Sequence, residues 1–435
     1  MTAALLYVKD AAQVVTVAGA SGKPKTGAGM NDIGVIACGS VVVDGDTGLI
    51  VFVGSVPEAE SFVRDRIQAS PAVEVHTVDA AGKIVLPGLI DPHTHLVFAG
   101  TREHELEMRL QGATYMEILQ QGGGILYSTA QTRKATEEQL AEQSEKRLDR
   151  FLLHGVTTVE AKSGYGLTTD DELKQLRVAR RLHESHPVDI VSTFMGAHAV
   201  PAEYKTDPDE YVRIVIEEML PKVAEEGLAD FCDVFCEQGV FTVEQSERIL
   251  EAGKRHGLIP KIHADEIVSF GGAELAAKVG AISADHLLKA SDEGIRRMAE
   301  EGVIAVLLPG TALYLREEPA RAREMIKASV AVALSTDRNP GSCPTESLPL
   351  IQNLGCLMMR MTPAEVITAS TINAAHAIGR AAEIGSIEVG KKADLVLFDA
   401  PNYAYLQYNF GVNLVDTVIK NGRIVVQGGI RCDGE

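Results

Sequence analysis

The chain has 435 residues, longer than one ordinary compact domain and suited to one large α/β barrel with a smaller partner. Apolar residues make up 46% and charged residues 23%, near globular averages, which excludes extended disorder. With 41 Lys and Arg against 60 Asp and Glu, the net charge of −19 excludes a general binder of nucleic-acid backbones and leaves an anionic substrate dependent on local cations.

Met1 to Asp10 lacks a basic stretch followed by a long apolar core, and no run of ~18 apolar residues occurs anywhere, so neither a secretory signal nor a membrane span is expected. From Leu5 to about Val85 the chain consists of short β-type runs, with a hairpin about Gly45–Gly48. A long middle follows in which strand-like runs alternate with capped helices. The runs are IVLPGLIDPHTHL, VTTVEAKSG, DIVSTFMGAHAV, ADFCDVFCEQG, LIPKIHADE, AISADHLL, GVIAVLLPG and VAVALSTDRNPG. Helix starts with a capping partner three residues on are read at Thr136/Gln139, Thr169/Glu172, Thr242/Gln245 and Thr362/Glu365, the last with Pro363 at the first helical position. Gly155, Gly257 and Gly302 fall where a C-terminal cap glycine belongs. Near the end, ADLVLFDAP is a strand, and TVIKNGRIVV is a hairpin turning at Asn421-Gly422.

Eight βα units predict an α/β fold with a (β/α)8 TIM-like barrel, in preference to a doubly wound open sheet. The two β-rich ends predict a small β-sandwich domain built from both termini, over 1–85 plus 385–435, with the catalytic barrel over 86–384. The six cysteines are scattered, the pattern of reduced cytosolic thiols. Cys232 and Cys236 share one face of an apolar strand and read as core thiols.

In such a barrel, catalytic groups gather at the C-terminal strand ends. The first strand ends in His93-Thr94-His95, whose alternation puts both imidazoles on one face, about 7 Å apart along the chain. The fifth strand ends in His263, the sixth in His286 and the eighth in Asp337. An isolated H-x-H or a lone strand-end histidine is weak. Recurrence of titratable groups at one end of four apolar strands is stronger, because buried polar groups are costly. Imidazoles with a carboxylate suit a borderline cation such as Zn2+ or Fe2+. Glu266 follows His263 by three residues, near the metal without being a ligand and suited to proton shuttling, ahead of the alternative of a solvated loop or helix N-terminal carboxylate. Glu237, at the end of the fourth strand, has no assigned role. No lysine sits at that strand end, which argues against two metals bridged by a modified lysine. His76, His104, His154, His183, His186, His256 and His376 are expected to be bystanders. Arg109 and Arg338 lie near the site, and either could be a surface arginine. Gly122–Gly124 lacks the context of a phosphate cradle and reads as an active-site loop.

PGLIDPHTH with the late GSIEVGKKADLVLFDA resembles the amidohydrolase superfamily. The longer set DPHTHLVFAGTREHELEMRLQGATYMEI, GGGI, VEAKSGYGL, MGAHAVP, IHADE and STDRNPGS resembles, over essentially the whole chain, the imidazolonepropionase family of histidine degradation. The resemblance implies a cytoplasmic homodimer holding one Zn2+ or Fe2+/Fe3+ ion per subunit through His93, His95, His263 and Asp337. It implies Arg102 as the fork for the propionate of 4-imidazolone-5-propanoate, Tyr165, His198 and Glu266 as substrate contacts, and Asn339, Gly341 and Ser342 near the product. On residues alone, Tyr165 between two glycines has a turn residue capping the barrel as its lesser alternative. The reaction implied is ring opening to N-formimidoyl-L-glutamate. Asp337 takes a proton from water, and Glu266 or His286 protonates the leaving nitrogen. The rivals are a ring-amidine deaminase of guanine or cytosine type, a two-metal dihydroorotase-like or hydantoinase-like enzyme, and an inactive scaffold. Arg102 discriminates against the deaminase, because a neutral base needs no carboxylate fork.

Overall fold

The computed structural model describes residues 4–113, 117 and 123–432. Eight parallel strands run in chain order around a barrel: Leu89–Asp91, Val156–Lys162, Asp189–Ala197, Phe231–Cys236, Ile259–Ala264, Ser283–His286, Ile304–Leu307 and Val332–Leu334. They are the first to eighth barrel strands below. The ring closes where the chain leaves the eighth strand beside the end of the first. Asp337 N donates to His93 O (3.1 Å) and His95 N to Arg338 O (2.9 Å), with Thr94 and Arg338 forming a parallel bridge. The expected barrel is present, and its seam lies among the candidate site residues.

Helices cover the outside of the barrel. Leu148, Phe151 and Leu152 of helix Glu137–Leu153, and Leu173 and Leu176 of helix Thr169–Ser185, join the strand side chains in one buried apolar cluster. The capping boxes at Thr136/Gln139, Thr242/Gln245 and Thr362/Glu365 form as expected. The one at Thr169 does not. Thr168 is the cap, accepting from Asp171 N, and Glu172 instead turns inward. Gly155, Gly257 and Gly302 all adopt positive φ after their helices.

Both chain ends enter one nine-stranded mixed sheet. Ala4–Val15, Val35–Asp44, Ile50–Ser55, Glu74–Asp79 and Ile84–Pro87 come from one side of the barrel segment. Leu395–Phe398, Val415–Lys420, Arg423–Gln427 and Ile430–Arg431 come from the other. The halves join where Ile84–Pro87 pairs antiparallel with Leu395–Phe398. Leu6, Val8, Val41 and Val43 share an apolar core with Leu395, Leu397 and Ile419, so the sheet curls over side chains from both ends. The Asn421-Gly422 turn has φ of 48° and 74°, as a two-residue primed hairpin requires.

Candidate active site at the barrel mouth

His93, His95, His263, His286 and Asp337 meet at the C-terminal end of the barrel, all buried. His93 Nε2 lies 3.4 Å and His95 Nε2 3.9 Å from Asp337 Oδ1. The His93 ring centroid is 4.5 Å from that of His263 and 5.4 Å from that of His286. Ligand atoms of His93, His95 and Asp337 lie within 4.8 Å of one another, as do those of His93, His263 and His286. Cys232 and Cys236 are buried free thiols that join no such group among the described residues.

The far ring nitrogens are fixed. His93 Nδ1 faces Asp285 Oδ2 at 2.7 Å, His263 Nδ1 faces Asp233 Oδ1 at 3.1 Å, and His95 Nδ1 faces Ser163 O at 3.4 Å. An acceptor at Nδ1 keeps the proton there and leaves the Nε2 lone pair free. The Nε2 atoms of His93 and His263 are buried and have no hydrogen-bond partner among the described residues. Buried nitrogen lone pairs without donors, beside a carboxylate, are the donor set a borderline divalent cation takes, so these residues fit such an ion. Asp337 Oδ2 accepts from Thr311 Oγ1 at 2.6 Å, which leaves Oδ1 turned toward the histidines. His286 and Asp337 both hold positive φ, 75° and 53°, an uncommon conformation that clusters at functional sites.

Burial sets the protonation states. It pushes the His93, His95 and His263 imidazoles well below the usual range, helped by the neighbouring cationic groups, and lowers His286 and His198 to about 4. Carboxyls move the other way. Burial raises Asp337 to about 7 and, with Asp337 and Glu237 nearby, raises Glu266 to about 8. Below the cluster, Lys162 meets Asp233 (2.7 Å), Glu160 (2.9 Å) and Asp285 (3.3 Å). Burial alone would lower its ammonium, and the three carboxylates outweigh this and raise it.

The surrounding wall carries the other candidate residues. Arg102 Nε is 3.2 Å from buried Glu105 Oε2, which Arg109 Nη2 also reaches at 3.1 Å. Arg109 Nη1 then donates to Gly341 O at 3.0 Å. The Arg102 guanidinium lies so close to Gly341 that any Cβ there would overlap it. The Asn339 side chain accepts from Gly341 N and Ser342 N and donates to Asp337 O, so it holds the loop in shape. Tyr165 is edge-on to His95 and His198, and His198 stacks on His95 at 4.7 Å. Glu172 builds this corner, accepting from the backbone N–H groups of Gly164, Gly166 and Leu167. Glu266 Oε1 lies 3.6 Å from His286 Nδ1, and Glu237 anchors that loop by accepting from Ile267 N at 2.8 Å.

Arg338 is no surface arginine, being buried on Glu346 at 2.7 Å. His186 and His376 are tied to Asp149 and Ala20 O, away from the mouth. Asp233, Asp285, Lys162, Lys261, Glu160, Glu105 and Thr311 also build the site, and none is among the residues expected from the sequence. Five of these are charges inside apolar strand runs, a signal that was present but that names no partner. Gly122 and Thr114–Met116 lie outside the described residues.

The amidohydrolase family profile matches residues 84–425. The imidazolonepropionase of Shouchella clausii (strain KSM-K16) is 68% identical over 98% of this chain and 94% of its own length. Those of Geobacillus sp. (strain WCH70) and Clostridium tetani (strain Massachusetts / E88) are 64% and 54% identical, over 98% and 97% of this chain and 99% and 98% of their own. Among solved structures, a zinc-bound adenosine deaminase from Xanthomonas campestris shares the fold with a TM-score of 0.71 at 19% identity, covering 99% of this chain and 94% of its own. A mutant atrazine chlorohydrolase from Arthrobacter aurescens TC1, complexed with zinc and atraton, does so at 0.72 and 18%, covering 99% and 97%.

Proposed function

The chain belongs to the amidohydrolase family and, within it, to the imidazolonepropionases, hydrolases of histidine degradation, and from this we propose how its barrel mouth opens the ring of 4-imidazolone-5-propanoate to N-formimidoyl-L-glutamate. The observation that carries the reading is the pair of partnerless buried Nε2 atoms on His93 and His263 beside Asp337.

His93, His95, His263 and Asp337 would hold one Zn2+ or iron ion per subunit. When bound, that ion supplies Lewis acidity toward a water and the ring carbonyl. Arg102, held against Gly341 by Glu105, takes the propionate in its planar fork and sets the ring's place under the mouth. Tyr165 and His198 form the wall beside the ring. Asp337, whose Oδ1 faces the histidines, would accept the attacking water's proton while remaining a ligand. As water adds to the ring carbonyl carbon, the C–N bond breaks and its nitrogen needs a proton. Glu266, at about 8, carries one at neutral pH, whereas His286, at about 4, is neutral. Glu266 therefore serves as the acid, with the neutral His286 ring 3.6 Å from its carboxyl.

A cytoplasmic homodimer follows from the same resemblance, and no described helix is long and apolar enough to cross a membrane. The test is to incubate the protein with imidazolone propionate, follow loss of ring absorbance and quantify bound metal and products. N-formimidoyl-L-glutamate with about one ion per chain supports the reading. Ammonia release or a metal-free active enzyme would overturn it.

A further inference from the structure

Beneath the histidines, Glu160, Lys162, Asp233, Lys261 and Asp285 are sealed inside the barrel, with no side chain reaching solvent. Burying five charges is costly before pairing, so the arrangement calls for a reason beyond filling a core. The two lysines differ in what they touch. Lys261 faces Glu160 at 3.0 Å and the carbonyls of Pro92 and Ala377. Lys162 instead sits between Asp233 (2.7 Å) and Asp285 (3.3 Å), with Glu160 on its third side at 2.9 Å. An ammonium has three donors, and here three carboxylates surround it.

Asp233 and Asp285 are the acceptors for His263 Nδ1 and His93 Nδ1. The backbone of the same segment reaches the remaining imidazole. Lys162 N donates to Thr94 O at 2.8 Å, Thr94 Oγ1 donates to Glu160 O at 2.6 Å, and Ser163 O faces His95 Nδ1 at 3.4 Å. Every imidazole of the H-x-H and the fifth strand is thus one link from residues 160–163. Without a cation between them, the Asp233 and Asp285 carboxylates repel at short range inside a low-dielectric core, and each would turn away from its histidine.

We propose that Lys162 is a positioning residue for the metal ligands: it ties together the two carboxylates that aim His93 and His263 at a common point. The proposal rests on the reading that these histidines hold the ion. Its consequence is that ion affinity depends on a side chain that touches neither ion nor substrate.

The test compares the native enzyme with Lys162→Met and, as an equally buried control, Lys261→Met. Zinc affinity is measured by competition with a chromophoric chelator, and ligand geometry by the visible spectrum of the Co2+-substituted protein. Lys162→Met should bind zinc about 10–100-fold more weakly, as expected when an outer partner of a ligand is removed, and should shift the cobalt spectrum, with KM little changed. Lys261→Met should lose thermal stability but keep native affinity and spectrum. If Lys162→Met does not fold, the charge-balanced pair Lys162→Met with Glu160→Gln replaces it, and the same loss of affinity is expected. Native affinity and spectrum in whichever variant folds would overturn the proposal. Failure of both to fold would also overturn it, by making Lys162 a residue of the fold alone. A native protein that binds no metal would instead overturn the reading beneath it.

Discussion

Glu266 and His286 stand 3.6 Å apart, and the same burial moves them in opposite directions, the carboxyl up to about 8 and the imidazole down to about 4. The carboxyl therefore keeps its proton below about pH 8 and loses it above. If it is the acid that protonates the leaving nitrogen, kcat should fall as pH rises through that value. Glu266→Gln should lower kcat by about 10²–10⁴ and remove this basic limb, read from the pH–rate profile. A surviving limb would assign the proton to another group. Gly341 is the second residue whose chemistry is decided by one contact. Its lack of a side chain lets the Arg102 guanidinium lie flat against the loop. Gly341→Ala should push that fork off the propionate and raise KM by about 10–100-fold, the worth of a charge-assisted hydrogen bond, with kcat changed far less. Equal losses in both would place the contact in the reaction itself.

Two elements show how much could be read in advance. The H-x-H and the strand-end positions of His263, His286 and Asp337 were legible because one residue period fixes which side chains share a face, and the barrel fixes which ends meet. Local signals failed where two of them competed. Thr168 and Thr169 each precede an acid by three residues, and the choice between them was made elsewhere, by the backbone N–H groups of Gly164, Gly166 and Leu167 that need Glu172. The charges of Glu160, Lys162, Asp233 and Asp285 were visible inside apolar runs, yet their pairing crosses three strands and has no sequence spacing to betray it. Arg102 stood out only through the resemblance, since its partner Glu105 and its neighbour Gly341 come together only in three dimensions. The Glu172 corner gives its own expectation. Glu172→Ala leaves three buried N–H groups unpaired at about 1–3 kcal/mol each, so the melting temperature should drop and the amides of Gly164–Leu167 should exchange faster. A loss of stability with unchanged exchange there would show that the loop is held by other means.

At the scale of the whole molecule, the site sits on the barrel's seam, so holding an ion and holding the ring closed should be linked. Chelation should lower the melting temperature, and added Zn2+ should restore it, because a ligand at about 1,000 times its Kd adds about 4 kcal/mol to the folded state. An unchanged melting curve would separate the seam from the ion. The sheet made from both chain ends has a different consequence, one of order in time. Strands from Ala4 to Pro87 leave the ribosome well before their neighbours from Leu395 onward. Until then, Ile84–Pro87 presents an open edge that can template pairing between nascent chains. The barrel strands, which end at Leu334, are all synthesised before the sheet beside them can be completed.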